Sequence, residues 1–250
     1  MIKEFKQALG FLSIIPVKLN TSYESGDLGR SAAFFPLVGG LMGLLAAAGY
    51  HLFLWIFPPM VTAILVTAIW ISLSGGLHLD GLADCFDGML NASSPQRRLE
   101  IMRDSRLGAF GGIGLVLTIL TRFILIFSLS QRFVWLVFPF ASALARWLLL
   151  MAAKEPNARP GGMGAEFANG LNRKSFLLAS STLLILLILC FLQFGLISLV
   201  AAAGAHLLAL MIFRLARQRL GGFTGDVFGL IVECAELFTL LIFCAKATIL

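Results

Sequence analysis

Residues 60–111 read MVTAILVTAIWISLSGGLHLDGLADCFDGMLNASSPQRRLEIMRDSRLGAFG, and this stretch decides the fold. Its opening run, 60–79, contains no Asp, Glu, Lys or Arg. A helix of about 20 such residues spans the hydrocarbon core of a bilayer. Five of the chain's 13 acidic residues then follow: Asp80, Asp84, Asp87, Glu100 and Asp104. His78 and four arginines (Arg97, Arg98, Arg103 and Arg106) accompany them. So much charge beside so apolar a run points to a metal and phosphate site at the water-facing end of a membrane helix.

Composition outside this stretch agrees. The chain has 250 residues, 59% of them hydrophobic and 13% charged, with a mean hydropathy of +0.93. Soluble domains carry about a quarter charged residues. The expected fold is therefore all-α, one membrane-embedded domain over 1–250 forming a polytopic bundle of about seven transmembrane helices. Candidate spans are 34–57, 60–79, 109–130, 133–152, 176–193, 195–213 and 228–249, with the pair within 176–214 the least regular. Pro58-Pro59 separates the first two. Pro36 with Gly39, Gly40 and Gly43 suits close helix packing, and 2–11 reads as an amphipathic surface helix followed by a polar loop over 21–29. No cleavable signal peptide is expected, and the scattered Cys85, Cys190, Cys234 and Cys244 predict neither a disulfide nor a zinc site.

Seven spans place loops on alternate sides, which the charges test. Lys3, Lys6, Lys18, Arg30, the four arginines of 97–106, Lys154, Arg159, Arg173, Lys174, Arg214, Arg217 and Arg219 fall on the side of the N-terminus, 15 of the 19 basic residues. Arg132 and Lys246 fall opposite, and Arg122 and Arg146 within spans. The positive-inside rule makes the N-terminus cytoplasmic. All 13 acidic residues lie on or just inside the same face, which favours an enzyme over a conduit. The net charge of +6 thus reflects membrane topology, and no nucleic-acid partner is expected.

Asp80, Asp84 and Asp87 stand at i, i+4 and i+7, one stripe of a helix. Like charges there repel unless a cation sits among them, and carboxylate oxygens suit Mg²⁺ or Mn²⁺. A solvated acidic helix end is the plainer alternative. His78 reads as a substrate contact or a hydrogen-bonding group beside the metal. In 100–111, Arg103, Arg106 and Ser105 can grip phosphate oxygens, with Gly108 and Gly111 at a helix N-terminus that favours an anion. Internal pairing with Glu100 and Asp104 is the alternative. Gly221, Gly222, Thr224 and Gly225 form a tight loop before Asp226, and Glu233 and Glu236 continue its helical face inside the last span. Buried ionisable groups of that kind are functional candidates. They either complete the metal site or pair with Arg146 or Arg122. The Pro/Gly-rich segment 155–164 reads equally as lid or linker.

FPLVGGLMG at 35–43, HLDGLADCFDG at 78–88, IMRDSRLGAFG at 101–111 and GGFTGDVFGLIVECAE at 221–236 together resemble the adenosylcobinamide-GDP ribazoletransferase (cobalamin synthase) family over almost the whole chain. The multi-Asp motif is also similar to that of CDP-alcohol phosphotransferases, but the Ala-Arg pair and the Gly of their pattern are missing after Asp80-Gly81. The resemblance implies a Mg²⁺-dependent joining of adenosylcobinamide-GDP to α-ribazole or its 5′-phosphate, with release of GMP, at a bacterial cytoplasmic (inner) membrane. It leaves open a homo-oligomer or association with other enzymes of cobalamin biosynthesis. On this reading Asp80, Asp84 and Asp87, helped by Asp104 or Asp226, hold the metal. Arg103 and Arg106 neutralise phosphate, and Asp87 or Asp84 takes the hydroxyl proton. His78, Ser105, Gly108, Gly222, Thr224, Gly225, Glu233 and Glu236 contact substrate. A CDP-alcohol-type phosphotransferase and a cation-coupled transporter using Asp80, Glu233 and Glu236 are the rival functions.

Overall fold

The computed structural model describes residues 1–18, 25–159 and 163–247. Part of the expected 21–29 loop, residues 160–162 of the Pro/Gly-rich segment and the end of the last expected span lie outside them. The described residues are helical, apart from one isolated β-bridge between Asn157 and Phe223. In chain order the helices are α1 (Ile2–Leu12), α2 (Asp27–Ser31), α3 (Phe35–Leu54), α4 (Pro59–Leu73), α5 (Leu77–Met89) and α6 (Pro95–Ile101). They continue as α7 (Ala109–Ser128), α8 (Val134–Leu148), α9 (Met163–Gly170), α10 (Arg173–Phe194), α11 (Leu196–Leu220) and α12 (Gly225–Ala247). Short 3₁₀ turns lead into α3 and α8 and extend α8 to Lys154.

Six segments are long and apolar enough to cross a membrane: Asp27–Leu54, Ala109–Ser128, Gln131–Lys154, Arg173–Phe194, Leu196–Leu220 and Gly225–Ala245. A seventh crossing is counted if α4 and α5 are taken together, and that pair is bent by 87°. The expected continuous span over 60–79 is therefore broken. Gly75 and Gly76 cause the break, with φ of 63° and 73°, in the left-handed region that a Cβ disfavours. α4 ends there and α5 leaves in a new direction, carrying the Asp stripe away from the axis of the span.

The 176–214 segment forms the two expected helices meeting at Gly195, but α11 runs on past the expected end, through Arg214, Arg217 and Arg219 to Leu220. Leu, Ala, Arg and Gln are strong helix formers, so nothing stops the helix before Gly221, whose φ is 77°.

α8 sits at the centre of the bundle, packed against α3, α10 and α12. The close approach of α3 depends on its small residues, as expected. A Cβ on Gly39 or on Gly43 would lie 2.5 Å from the carbonyl oxygen of Ser142 or of Phe138. The outer faces stay apolar: Val116, Leu117 and Leu120 on α7, Leu184, Ile185 and Leu192 on α10, and Leu207 and Met211 on α11 are all exposed. In water these faces would associate, whereas in lipid they are already solvated.

The interior holds an ion-pair network. Arg122 of α7 donates from Nη2 to Glu233 Oε2 at 2.6 Å and from Nη1 to Glu236 Oε2 at 2.8 Å. Arg146 of α8 pairs with Glu236 Oε1, Ser142 Oγ donates to the same oxygen at 3.0 Å, and Trp70 Nε1 of α4 donates to Oε2 at 2.9 Å. The Arg122 guanidinium also lies over the Trp70 ring, 5.1 Å from its centre. Two guanidinium and two carboxylate groups balance, so the buried cluster carries no net formal charge. Removing one partner of a buried pair costs about 3–5 kcal/mol. Glu236→Ala should therefore sharply lower the melting temperature of the detergent-solubilised protein. Glu100→Ala, which removes a pair with Arg97 whose side chains are 66% and 63% exposed, should leave it unchanged.

Candidate functional site

The site is built where α5 crosses α12. A Cβ on Gly81 would lie 2.7 Å from the carbonyl oxygen of Asp226, and one on Gly229 would lie 2.5 Å from that of His78. With only hydrogens at both positions the backbones touch. Asp226, in the first turn of α12, is thereby brought to the Asp stripe of α5, and Asp84 lies within the fields of Asp226, Asp80 and Asp87. The two acidic clusters of the sequence do converge, but only through Asp226.

A cavity of about 890 Å³ opens beside this crossing. Asp80 and Asp84 form one wall, and Arg103, Asp104, Ser105 and Arg106 form another. Leu115 and Ile119 of α7 add an apolar side. A smaller cavity of about 90 Å³ is lined by His78, Asp80, Gly225 and Asp226. The Nε2 atom of His78 is buried without a hydrogen-bond partner among the described residues, so this imidazole retains capacity for a ligand.

The expected residues divide into two groups. Asp80 and Asp84 make no hydrogen bond or ion pair through their carboxylates among the described residues. Asp87 is engaged elsewhere: Oδ2 accepts from the Gly108 N–H and Oδ1 from the Gly111 N–H, both at 2.8 Å. The anion expected at the N-terminus of α7 is thus Asp87 itself, capping the helix and meeting its dipole. Gly108 and Gly111 leave room for that carboxylate and do not line the cavity for a phosphate.

Asp104 is also taken. Arg106 donates to it from Nε at 3.0 Å and from Nη2 at 2.6 Å. The Arg106 side-chain hydrogen bonds, followed by its backbone N–H, hold the exposed Asp104 carboxyl down to about 2, and the same bonding raises the Arg106 guanidinium. The internal pairing left open by the sequence therefore holds for Arg106, and Arg103 is the arginine of that loop that faces the cavity without an ion pair among the described residues. Of the two readings of Glu233 and Glu236, the pairing with Arg122 and Arg146 holds, and with 4% and 1% exposure they are not the substrate contacts the resemblance implied. Gly222 packs on the 156–158 backbone, where a Cβ would lie 2.5 Å from the Pro156 oxygen. Thr224 Oγ1 donates to Asp226 Oδ2 at 3.2 Å and so orients that carboxylate.

One functional candidate has no counterpart in the sequence expectations. Arg159, in the segment after α8, places Nη1 3.7 Å from Asp226 Oδ2 and donates from Nη2 to the Leu99 carbonyl at 3.1 Å. Nothing in the composition of EPNARP separates this arginine from a linker residue.

Among the described residues no three His, Cys, Asp or Glu side chains converge as ready metal ligands. The donor set still suits Mg²⁺, which takes one or two carboxylates and fills its other positions with water and substrate phosphate. Asp80 and Asp84 are the carboxylates with oxygens available. Asp87 does not line the cavity and caps α7, and Asp104 lines it but is already paired with Arg106.

If Asp87 is a helix cap, Gly108→Ala should act like Asp87→Ala, since the added methyl occupies the carboxylate's place. Each variant should lose about 1–2 kcal/mol of stability in EDTA, read from unfolding in detergent. A purely metal-ligating Asp87 would leave Gly108→Ala without effect under those conditions.

Over residues 4–244 the chain matches the family model described as cobalamin-5-phosphate synthase. It is 36% identical to an adenosylcobinamide-GDP ribazoletransferase of Desulfitobacterium hafniense over 94% of this chain and 93% of that protein. It is 39% identical to one of Pseudomonas putida strain W619 over 94% and 95%, and 34% identical to one of Geotalea daltonii over 96% of each. No solved structure matches the chain.

Proposed function

The chain belongs to the cobalamin-5-phosphate synthase family, and from that membership we propose that it joins adenosylcobinamide-GDP to α-ribazole or its 5′-phosphate, releasing GMP. The product is adenosylcobalamin or its 5′-phosphate. The observation that carries this assignment to a place on the molecule is the α5–α12 crossing. Asp80 and Asp84 of α5 line the cavity whose facing wall presents Arg103 and Ser105, and Asp226 of α12 lines the smaller neighbouring cavity that shares Asp80 with it.

In the reaction a free ribose hydroxyl of the ribazole, other than the 5′-oxygen that carries the phosphate in the phosphorylated substrate, attacks the phosphorus on the cobinamide side of the diphosphate. A new P–O bond forms, the bond from that phosphorus to the bridging oxygen breaks, and GMP leaves with that oxygen. Protein groups contribute chiefly by positioning and by neutralising charge. Arg103 and Ser105 would hold phosphoryl oxygens, Arg103 by charge-assisted hydrogen bonds. Of the two carboxylates considered as base, Asp87 has both oxygens occupied by backbone N–H groups. Asp84 would therefore take the hydroxyl proton. Mg²⁺, when bound, neutralises charge on the diphosphate, and Asp80 and Asp84 would hold it, with Asp226 adjacent.

The charge count supports an active site on the cytoplasmic face of the inner membrane. The rival transporter reading used Asp80, Glu233 and Glu236 as intramembrane sites, and two of the three, Glu233 and Glu236, are held in ion pairs. The phospholipid-type transferase gains nothing from the site or the relatives.

Purified protein in liposomes should release GMP from adenosylcobinamide-GDP and α-ribazole phosphate with Mg²⁺ and fail to do so with EDTA. Asp84→Asn should insert normally and lose activity by roughly 10²-fold or more. Wild-type turnover by that variant would remove Asp84 from the chemistry.

A further inference from the structure

We propose that Arg159 is a substrate-binding residue of this site, gripping the diphosphate ester beside Asp80, Asp84 and Asp226. The assignment of diphosphate as the ligand rests on the ribazoletransferase reading; the unused donors of Arg159 do not.

Arg159 is held too firmly for a linker residue. Ala158 N–H donates to the Phe223 carbonyl at 3.0 Å, and Phe223 N–H donates to the Pro156 carbonyl at 2.7 Å. Together these bonds form the Asn157–Phe223 bridge. The bridge fixes Arg159 two residues onward on one strand and Asp226 three residues onward on the other. Cation and carboxylate are thus positioned by the same piece of backbone, with Gly222 permitting the contact. Arg159 is also the cation whose charge bears most on both Asp84 and Asp226.

Its bonding is incomplete. A guanidinium has five N–H donors, and among the described residues one hydrogen bond is formed, from Nη2 to Leu99, while Nε is buried without a partner among them. The 3.7 Å approach to Asp226 is an ion pair lacking hydrogen-bond geometry. Arg106 shows what a completed pair looks like in the same protein, with Nε and Nη2 both bonded to Asp104. Asp226 therefore steers Arg159 without satisfying it. A fork of donors left open beside carboxylates that suit a divalent cation matches an anion with several oxygens, which the cation and the guanidinium would share.

The test uses the full chain in lipid nanodiscs. Inorganic pyrophosphate with Mg²⁺ serves as a binding probe by calorimetry, and turnover is measured separately. Arg159→Gln should weaken pyrophosphate binding roughly 10- to 100-fold, with Arg159→Lys intermediate because it keeps the charge and loses the fork. In turnover, the KM for adenosylcobinamide-GDP should rise in Arg159→Gln while that for α-ribazole phosphate stays within about twofold. Added guanidinium should partly restore the variant, which a structural role would not allow. Equal binding of pyrophosphate by wild type and Arg159→Gln, or by neither, overturns the proposal. Weakened binding in the variant, together with a wild type that releases no GMP, upholds Arg159 as an anion-binding residue and rejects the reaction instead. Should Arg159→Gln not fold, Arg159→Lys with unweakened pyrophosphate binding and an unchanged KM is the overturning result.

Discussion

Glu236 is the point on which the bundle depends. A carboxylate buried among membrane helices is costly unless its charge is met and its oxygens are bonded. Here one oxygen receives Arg146 and Ser142, and the other receives Arg122 and Trp70. Those four partners come from α4, α7 and α8, so one side chain of α12 ties three other helices to it. The low dielectric that makes an unpaired charge intolerable also makes the paired arrangement selective. Sliding α12 by a single residue would strand two guanidinium groups. The network therefore sets the register of helices whose other surfaces are apolar and interchangeable.

That register reaches the functional end. Asp226 lies ten residues before Glu236 on α12, about 15 Å along the axis. Gly108 and Gly111 begin α7, whose middle carries Arg122, and α5 hangs from α4 just beyond Trp70. The helices pinned at their centres are those whose ends assemble the carboxylates. Gly81 and Gly229 convert this fixed register into contact. The 87° bend at Gly75 and Gly76 then lays the Asp stripe across the end of α12. Asp87, by capping α7, closes the arrangement on its third side.

Much of this was legible in the sequence, and the boundary follows a physical rule. Hydropathy over about 20 residues is a local property, so the helices were readable, including the role of Gly39 and Gly43 in packing. The three polar stretches that compose the site, at 78–88, 101–111 and 221–236, were readable for the same reason: charge in an apolar chain stands out. What a charge pairs with is not local. The stripe of Asp80, Asp84 and Asp87 makes the three look equivalent, and only a loop returning Gly108 and Gly111 to Asp87 separates a cap from the two open carboxylates. Arg122 and Arg146 could be named as candidate partners of Glu233 and Glu236 because they too lie within spans, but spacing does not decide between that pairing and a metal site. The break at Gly75-Gly76 did have a local signal, since paired glycines end helices, but a hydropathy window averages over them. Arg159 had none. Its importance comes from a bridge to Phe223, and neither partner of that bridge is unusual in composition.

The division of labour among the acidic residues explains why a site so rich in charge can sit at the end of a membrane bundle. Each carboxylate with a backbone or guanidinium partner is a structural group, and the energy of its bonding stabilises the frame. Among the described residues Asp80 and Asp84 are left without such partners, and Asp226 has a hydroxyl and the Arg159 cation. Their mutual repulsion is a standing destabilisation that a divalent cation bound there would relieve, at the place proposed for an anionic substrate. The cavity adds the complementary condition. Its carboxylate wall faces water and phosphate, while Leu115 and Ile119 lie about two and three turns into α7, on the side that continues into the bilayer. A substrate with a charged diphosphate and bulky, less polar ends meets a matching surface for each part only at this boundary between spanning helix and aqueous loop. Moved deeper, the carboxylates would lose their solvent and counterions; moved outward, the apolar wall would have no helix to form it. The proposed site's chemistry thus favours placement at the membrane edge, and the buried Glu236 network keeps the helix ends together.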